Sequence, residues 1–210
     1  MVRPLGTLQA RPAPLPTGLP ALDKLLGGLP RGALTVLAGG PSSGAAGIAL
    51  RILAGAQQAG KMPAYVDASQ SFDPAAARQA GLDLKALFLA RPPALQDALS
   101  LTYDLLCEGS TGLVLLDSGS LPLPDAGLRL LANAVARGSA PLLCLTDAQS
   151  CVAQADLRLN ACQLGWETAG GDAFALRTRV TIEAGRGLRP GQFADLLLPV
   201  DEAPPCWSAS

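Results

Sequence analysis

The chain has 210 residues, 49% of them hydrophobic, with a formal net charge of −1 and a pI near 5.4. These values indicate one globular domain with a proper core and exclude a disordered chain. No apolar run approaches the ~20 residues of a membrane-spanning helix, so no membrane partner is expected. The first residues lack the layout of a signal peptide, and we expect a cytoplasmic protein.

The chain contains no histidine and five cysteines, an odd number without C-x-x-C spacing. This composition argues against a zinc site and against histidine-based acid–base or triad catalysis. We therefore expect no resident metal. Of the five cysteines, Cys144 lies in an apolar run and is predicted to be a small core residue.

Apolar runs and helix-like stretches alternate along the first two thirds of the chain. After a proline-rich arm at residues 1–16 and a short helix at 19–26, this alternation predicts a mainly parallel sheet covered by helices on both faces. Strands are predicted at residues 33–38, 62–67, 86–90, 112–117 and 140–146, and helices at residues 44–58, 73–80, 94–107 and 125–137.

The pattern changes after Asp147 to runs of alternating polarity at residues 155–163 and 173–182. A Gly-Gly-Asp turn within the joining residues 167–172 predicts an antiparallel hairpin that extends the sheet. A last strand is predicted at residues 193–200. The fold class is therefore α/β, with a core at residues 17–200 and a tail at 201–210.

A glycine loop joins the first strand to the following helix, where Gly39 and Gly44 keep the G-x4-G spacing of a phosphate-binding P-loop. A working loop continues with a lysine that reaches the β- and γ-phosphates and a hydroxyl that ligates Mg²⁺. Here those two positions hold Ala45 and Ala46. The spacing predicts a loop that can surround the phosphates of a nucleotide. The two alanines predict that this loop lacks the lysine and the hydroxyl that hydrolysis requires.

Two further strand ends accompany the loop. The run 112–117 ends in Asp117, as in a Walker B strand, where the carboxylate would hold Mg²⁺ through water. The run 62–67 ends at the same edge in Asp67. The predicted nucleotide contacts are Gly39, Gly40, Pro41, Ser42, Ser43, Gly44, Ala45, Ala46 and Asp117.

These segments together resemble a known superfamily. Residues 15–32, 65–83, 115–118, 155–159 and 177–180 are similar, in order and spacing, to the ATPase core of RecA-type recombinases, and the similarity extends over about residues 15–198. Residues 87–92 and the compact length look most like ImuA-type proteins. These are RecA-like accessory factors encoded with mutagenic translesion polymerases in bacteria.

The chain departs from the pattern of that superfamily at several functional positions. Besides the two alanines of the loop, the catalytic glutamate falls on Ser69, and a lysine pair that reaches a neighbouring subunit falls on Ala184 and Arg186. Both loops that would grip single-stranded DNA are short, at residues 119–124 and 150–154. The N-terminal oligomerisation element is replaced by the proline-rich arm.

The resemblance and the departures together predict a catalytically inactive RecA-like protein that acts through protein contacts in DNA repair, recombination, the SOS response or translesion synthesis. The resemblance implies RecA, a translesion polymerase or its accessory protein as partner, no cofactor beyond weak ATP binding, and weak or indirect contact with DNA.

The alternatives are an active DNA-binding ATPase and a regulatory module unrelated to repair. Arg51 is a poor substitute for the lysine because it lies two turns into the helix. A surface for nucleic acid, if one exists, is predicted at Arg158, Arg177, Arg179, Arg186 and Arg189.

Overall fold

The computed structural model describes residues 13–147, 154–169 and 172–199. Residues 1–12 of the predicted arm, most of the predicted second DNA loop and the whole tail lie outside them. The described end of the arm is held on the core. Leu15 is fully buried and exchanges backbone hydrogen bonds with Leu29, while Arg31 Nε donates to the carbonyl of Ala13 at 2.8 Å.

Eight strands form a single sheet in the order β3-β2-β4-β5-β1-β6-β7-β8. All neighbouring pairs from β3 to β6 are parallel, and the pairs β6–β7 and β7–β8 are antiparallel. The predicted α/β class with a C-terminal antiparallel extension is therefore confirmed. The strands are β1 Leu34–Ala38, β2 Pro63–Asp67, β3 Phe88–Ala90, β4 Leu113–Gly119, β5 Leu142–Thr146, β6 Leu157–Ala169, β7 Asp172–Gly185 and β8 Phe193–Pro199.

The helices cover the two faces of the sheet in two groups. They are α1 Pro20–Leu26, α2 Ala45–Gln58, α3 Pro74–Gln79, α4 Leu95–Glu108 and α5 Asp125–Arg137, with a 3₁₀ helix at Leu84–Ala86. Side chains of α1, α2 and α3 share one buried cluster with the sheet, and those of α4 and α5 share another. Strands β1, β2 and β5 are buried along their whole length, as expected for parallel strands between two helix layers.

Two details of the sequence prediction are wrong. The strand predicted at residues 86–90 is shorter, because Leu84–Ala86 forms a 3₁₀ turn that Asp83 caps through the backbone N–H of Lys85. The hairpin turn predicted at residues 167–172 is also too long. Glu167 pairs with Ala175 and residue 169 with Asp172, so the two strands continue to the ends of the described segment.

Because β1, β2, β4 and β5 are parallel, their carboxyl ends meet at one edge of the sheet. The segments that follow β1, β2 and β4 begin there with Gly39, Ala68 and Ser120. This is the edge at which open α/β sheets bind ligands. None of the helices in the described residues is long and apolar enough to cross a membrane.

Candidate nucleotide site

A cavity of about 620 Å³ opens at this carboxyl edge. It lies between the loop before α2, the segment after β2, the ends of β4 and β5, and a wall formed by β6, β7 and β8. Every predicted nucleotide contact lines it: Gly39, Gly40, Pro41, Ser42, Ser43, Gly44, Ala45, Ala46 and Asp117. The fold thus brings these nine residues together as the sequence pattern predicts.

The glycine loop keeps its conformation through close backbone packing. Gly44 has φ of 86°, in the left-handed region, and a Cβ there would collide with the Thr178 hydroxyl. That hydroxyl donates to the carbonyl of Ser43 at 3.0 Å. A Cβ on Gly39 would collide with the side chain of Ser43. The two glycines of the motif are therefore required by packing, whether or not a phosphate binds.

The cavity wall at the start of α2 carries methyl groups where a working loop carries an ammonium and a hydroxyl. Ala45 and Ala46 are the first two residues of α2, and both line the cavity. The buried Ser43 hydroxyl accepts from the backbone N–H of Ala45 at 3.3 Å. Neither alanine offers a side-chain group to a phosphate or to Mg²⁺.

Arg51 does not take the place of the lysine. Its Nη1 donates to the carbonyl of Gly47 at 3.1 Å and its Nη2 to the carbonyl of Pro199 at 3.0 Å. Burial lowers the pKa of this guanidinium below its ordinary value. Arg51 is the only basic residue among the described residues that line the cavity, whereas Asp73, Asp117 and Asp147 all line it.

Asp117 is nearly fully buried and is held by three donors. The Tyr65 hydroxyl donates to its Oδ2 at 2.7 Å and the Ser71 hydroxyl at 3.2 Å, while the backbone N–H of Gly119 donates to its Oδ1 at 3.0 Å. Burial, and then the Asp117 carboxylate, raise the pKa of Tyr65 far above its ordinary value, so the phenol stays protonated and donates.

The neighbouring carboxylate, Asp67, is fully buried and organises the segment after β2. It accepts from the Ser69 hydroxyl at 3.1 Å, from the backbone N–H groups of Ser71 and Phe72 at 3.0 and 3.1 Å, and from Arg91 Nε at 3.0 Å. The Ser69 and Ser71 hydroxyls lie 2.7 Å apart and connect the two carboxylates. Ser69, where the resemblance to RecA-type proteins places a catalytic glutamate, is thus part of an internal network and is not among the described lining residues.

The wall formed by β6, β7 and β8 includes residues that sequence reasoning missed. Trp166 of β6 lines the cavity and is about half exposed. With its amide oriented to satisfy both neighbours, Gln163 donates to the carbonyl of Ser42 at 3.2 Å and accepts from Trp166 Nε1 at 3.0 Å. Leu176 of β7 and Leu198 of β8 complete this wall. In the sequence, only the alternation of polar and apolar residues along β6 and β7 pointed to these wall residues.

The predicted arginine surface is largely neutralised by ion pairs. Arg177 pairs with Glu167, Arg179 with Asp195 and Arg186 with Asp156. Arg158 lies opposite Ala184 on the β6–β7 ladder, and Arg189 lies between β7 and β8. A phosphate that binds Arg177, Arg179 or Arg186 would have to displace the carboxylate partner of that arginine. Of the two superfamily lysine positions, Arg186 keeps a cation but directs it to Asp156.

The loop predicted to be too short to grip DNA is short in the structure. Only five residues, 120–124, separate β4 from α5. Among the described residues, no group of three or more cysteine, aspartate or glutamate side chains is arranged to hold a metal ion.

Comparison with known proteins relates this site to a family. Residues 6–133 match the model of the RecA N-terminal domain. Protein RecA of Chlorobium chlorochromatii (strain CaD3) is 42% identical over 114 residues, which are 53% of this chain and 32% of that protein. Protein RecA of Clavibacter michiganensis subsp. michiganensis (strain NCPPB 382) is 39% identical over 125 residues, or 58% of this chain and 34% of that protein. The chain thus spans about a third of the length of these curated relatives.

A solved structure shares the fold. The crystal structure of the RadB recombinase superposes with a TM-score of 0.68 over 86% of this chain and 94% of that chain, at 21% sequence identity. The family model covers more than half of the sequence and includes the glycine loop, β4 and most of α5. The chain therefore belongs to the RecA N-terminal domain family.

Proposed function

We propose that this chain is a catalytically inactive member of the RecA family that acts through protein contacts in bacterial DNA repair and recombination. The observation that carries the proposal is the composition of the cavity. Ala45 and Ala46 replace the cation and the hydroxyl, and Asp117 is already held by Tyr65, Ser71 and Gly119. Groups that stabilise a transferring phosphoryl contribute several kcal/mol each, so losing them together lowers hydrolysis by orders of magnitude.

The charges around the cavity support the same proposal. A nucleoside triphosphate needs cations to offset its negative charge. Here three aspartates line the cavity, and Arg51 donates to two backbone carbonyls. Repulsion between like charges in a partly buried site disfavours the bound triphosphate.

A second candidate, a nucleotide-binding protein, is favoured by the loop conformation. Gly44 keeps its left-handed conformation, and the backbone N–H groups at the start of α2 form the positive end of the helix dipole. These amides favour an anion even without the lysine. Weak ATP binding without turnover is compatible with the main proposal, whereas rapid turnover is not.

Phosphate release from Mg-ATP, with and without single-stranded DNA, tests the absence of catalysis. We expect no turnover above background for the full chain. Asp117→Asn is the matched variant, since a genuine ATPase activity of this site requires the Asp117 carboxylate. Turnover comparable to that of an active RecA, and abolished by Asp117→Asn, would overturn the proposal.

The partner class follows from the relatives, which are RecA proteins, and from the resemblance to ImuA-type factors. We propose RecA, or a translesion polymerase or its accessory protein, as the partner, with DNA contacted weakly or indirectly. Size-exclusion chromatography of the purified chain with each candidate tests this assignment. Co-elution with one of them is expected. Regular filaments formed by this chain alone on single-stranded DNA, seen by electron microscopy, would contradict it.

A further inference from the structure

A β-bulge in β6 turns Trp166 towards the cavity. Before the bulge, odd-numbered residues of β6 face the buried cluster that they share with α2: Leu157, Leu159 and Ala161. Strict alternation would place Gly165 on that face and Trp166 on the opposite one. The register shifts between Gln163 and Gly165, so Trp166 pairs with Leu176, and both line the cavity. Bulges are frequent beside binding sites, where they redirect a side chain.

The indole of Trp166 is held in place by the protein itself. Its Nε1 donates to the side chain of Gln163 at 3.0 Å, and the Gln163 amide donates to the carbonyl of Ser42 at 3.2 Å. About half of the Trp166 surface remains exposed. An aromatic side chain fixed at the wall of a cavity is a preorganised binding surface, because little side-chain entropy is lost when a ligand packs on it.

The charges around the cavity favour a cation over an anion. Asp73, Asp117 and Asp147 line it, and Arg51 is the only basic residue among the described lining residues. The positive end of α2 is equivalent to about half a unit charge, so together with Arg51 it offsets about half of the carboxylate charge. The remaining field attracts positive charge into the cavity.

We propose that this cavity binds a small organic cation, a primary ammonium group carried on an apolar body. The ammonium would lie among the carboxylates and against the Trp166 ring, since tryptophan attracts cations more strongly than the other aromatic side chains. The apolar body would pack against Phe72, Leu176 and Leu198, which line the same cavity. The inference rests on the proposed function, because an active ATPase would hold Mg-ATP here.

A bare metal ion fits the cavity less well than an organic cation. Among the described residues, no three carboxylates or thiols are arranged to hold a metal ion. The methyl groups of Ala45 and Ala46 and the leucines of β7 and β8 also line the cavity, and a metal ion would leave this apolar surface uncovered. An ammonium on an apolar body satisfies both parts of the wall.

The fluorescence of Trp166 tests the inference, because the sequence contains only one other tryptophan, which Trp207→Phe removes. Three probes of similar shape are titrated into this variant: phenethylammonium, the neutral phenethyl alcohol and the anionic 3-phenylpropionate. We expect a saturable change in Trp166 emission with the ammonium, at a concentration about tenfold lower than with the alcohol. The carboxylate should give no saturable change.

One substitution isolates the charge of the cavity from its structure. Asp73→Asn removes a carboxylate but keeps an oxygen that can cap α3, where Asp73 accepts from the backbone N–H of Ala75 at 2.8 Å. We expect ammonium binding to weaken several-fold and alcohol binding to stay the same. Asp83→Asn is the matched control, since Asp83 accepts from the backbone N–H of Lys85 in the same way and is not among the described lining residues.

The role of the indole has its own variant, Trp166→Leu, followed by isothermal titration calorimetry. We expect the ammonium to lose more affinity than the alcohol, because a leucine side chain offers apolar contact but no attraction for a cation. Circular dichroism checks that each variant folds. If Trp166→Leu does not fold, Trp166→Phe keeps an aromatic ring and should weaken ammonium binding by a smaller factor.

The same chemistry occurs in free amines and in the lysine side chain of a partner protein. Nα-acetyl-lysine methylamide, titrated beside phenethylammonium, distinguishes these two sources. Saturable binding of either one supports the inference, and the tighter of the two identifies the source.

Two outcomes would overturn the inference. An ammonium that binds no more tightly than the alcohol would show that charge does not select the occupant. Displacement of the ammonium by a lower concentration of Mg-ATP would show that the cavity prefers a nucleotide. Phosphate release judges the proposed function separately: without turnover, that proposal stands in both cases, whereas turnover that Asp117→Asn abolishes would overturn both.

Discussion

The glycine loop and the strand-end carboxylates lie at the same carboxyl edge of the sheet but use their polar groups differently. In the loop, Ala45 and Ala46 present methyl groups to the cavity. At the ends of β2 and β4, Asp67 and Asp117 together accept seven hydrogen bonds from protein donors. One region has lost its ligand groups, and the other has its carboxylates engaged within the protein.

The difference shows how a nucleotide fold can remain stable without its ligand. A buried carboxylate without partners is costly, whether the missing partner is a metal ion or a donor. Here Tyr65, Ser71 and Arg91 supply the donors, so the strand ends need no Mg²⁺ for their stability. The loop needs no compensation because a methyl group leaves no polar atom unpaired.

Removing the carboxylate with more hydrogen-bond donors, Asp67, should have the largest effect. In Asp67→Asn, the new amide faces N–H donors of Ser71, Phe72 and Arg91, and part of the network is left unsatisfied. We expect a loss of about 3 kcal/mol in the free energy of unfolding, since buried pairs are costly to break from one side. Urea unfolding measures it.

Asp104→Asn on the exposed face of α4 is the control for that experiment and should change the stability by less than about 0.5 kcal/mol. A value for Asp67→Asn as small as that of the control would mean that the network does not hold the segment after β2.

Restoring the missing side chains of the loop should test whether their absence limits nucleotide binding. Ala45→Lys combined with Ala46→Thr returns the cation and the hydroxyl to a loop whose conformation is kept by Gly44 and Thr178. We expect the double variant to gain stabilisation by Mg-ATP, about 2.7 kcal/mol at 100 times its dissociation constant. Thermal unfolding with and without Mg-ATP measures this gain.

Ala45→Met combined with Ala46→Val adds similar bulk without the charge or the hydroxyl and should gain nothing. Equal stabilisation of the unmodified chain and the restored variant would show that the missing side chains do not limit binding.

Local pattern was sufficient to predict much of the fold. Helix α5 begins and ends where its sequence predicts, at Asp125–Arg137, because polar and apolar residues alternate with helical spacing between a proline and a glycine. The G-x4-G spacing located the loop, and Asp117 at the end of an apolar run located the neighbouring strand end. These features depend on residues close together in the chain.

The partners of the site could not be predicted because they depend on strand neighbours and loop shape. Tyr65 reaches Asp117 because β2 pairs with β4, which aligns Asp67 with Asp117 and places the tyrosine two residues back on the same face. Arg91 arrives from the end of β3, 24 residues along the chain from Asp67. Trp166 reaches the cavity because β6 lies beside β1.

Removing the Tyr65 hydroxyl, one of the three donors to Asp117, should have an intermediate effect. Tyr65→Phe leaves the carboxylate with two donors, and we expect a loss of about 1–2 kcal/mol near pH 7. The folded chain raises the pKa of Tyr65 above its ordinary value of 10.0. The contribution of the phenol to stability is therefore fully present below pH 10 and falls as the pH rises above it.

Urea unfolding of both proteins between pH 7 and pH 11 measures this dependence. The stability of the unmodified chain should approach that of Tyr65→Phe above pH 10, since only the former has a buried phenol at position 65 that ionises on unfolding, while Tyr103 is common to both. A constant difference across this range would show that folding does not raise the pKa of Tyr65.

The smallest effect is expected on the exposed face of β7 and β8. Arg179 donates to both carboxylate oxygens of Asp195, at 2.7 and 2.9 Å, and its guanidinium lies 3.9 Å from the ring centroid of Phe193. The hydrogen bond from Arg179 lowers the pKa of Asp195, so the ion pair persists at neutral pH and is lost only as the pH falls through that lowered pKa.

Because both partners are exposed, Arg179→Ala should leave the free energy of unfolding unchanged within the error of urea unfolding. It should also leave any binding of a labelled single-stranded oligonucleotide, followed by fluorescence anisotropy at low salt, equal to that of the control Arg129→Ala on α5. A guanidinium already bound to Asp195 is not available to a phosphate without breaking that pair. Binding that falls several-fold in Arg179→Ala but not in Arg129→Ala would assign this face to nucleic acid and would show that the carboxylates do not neutralise it.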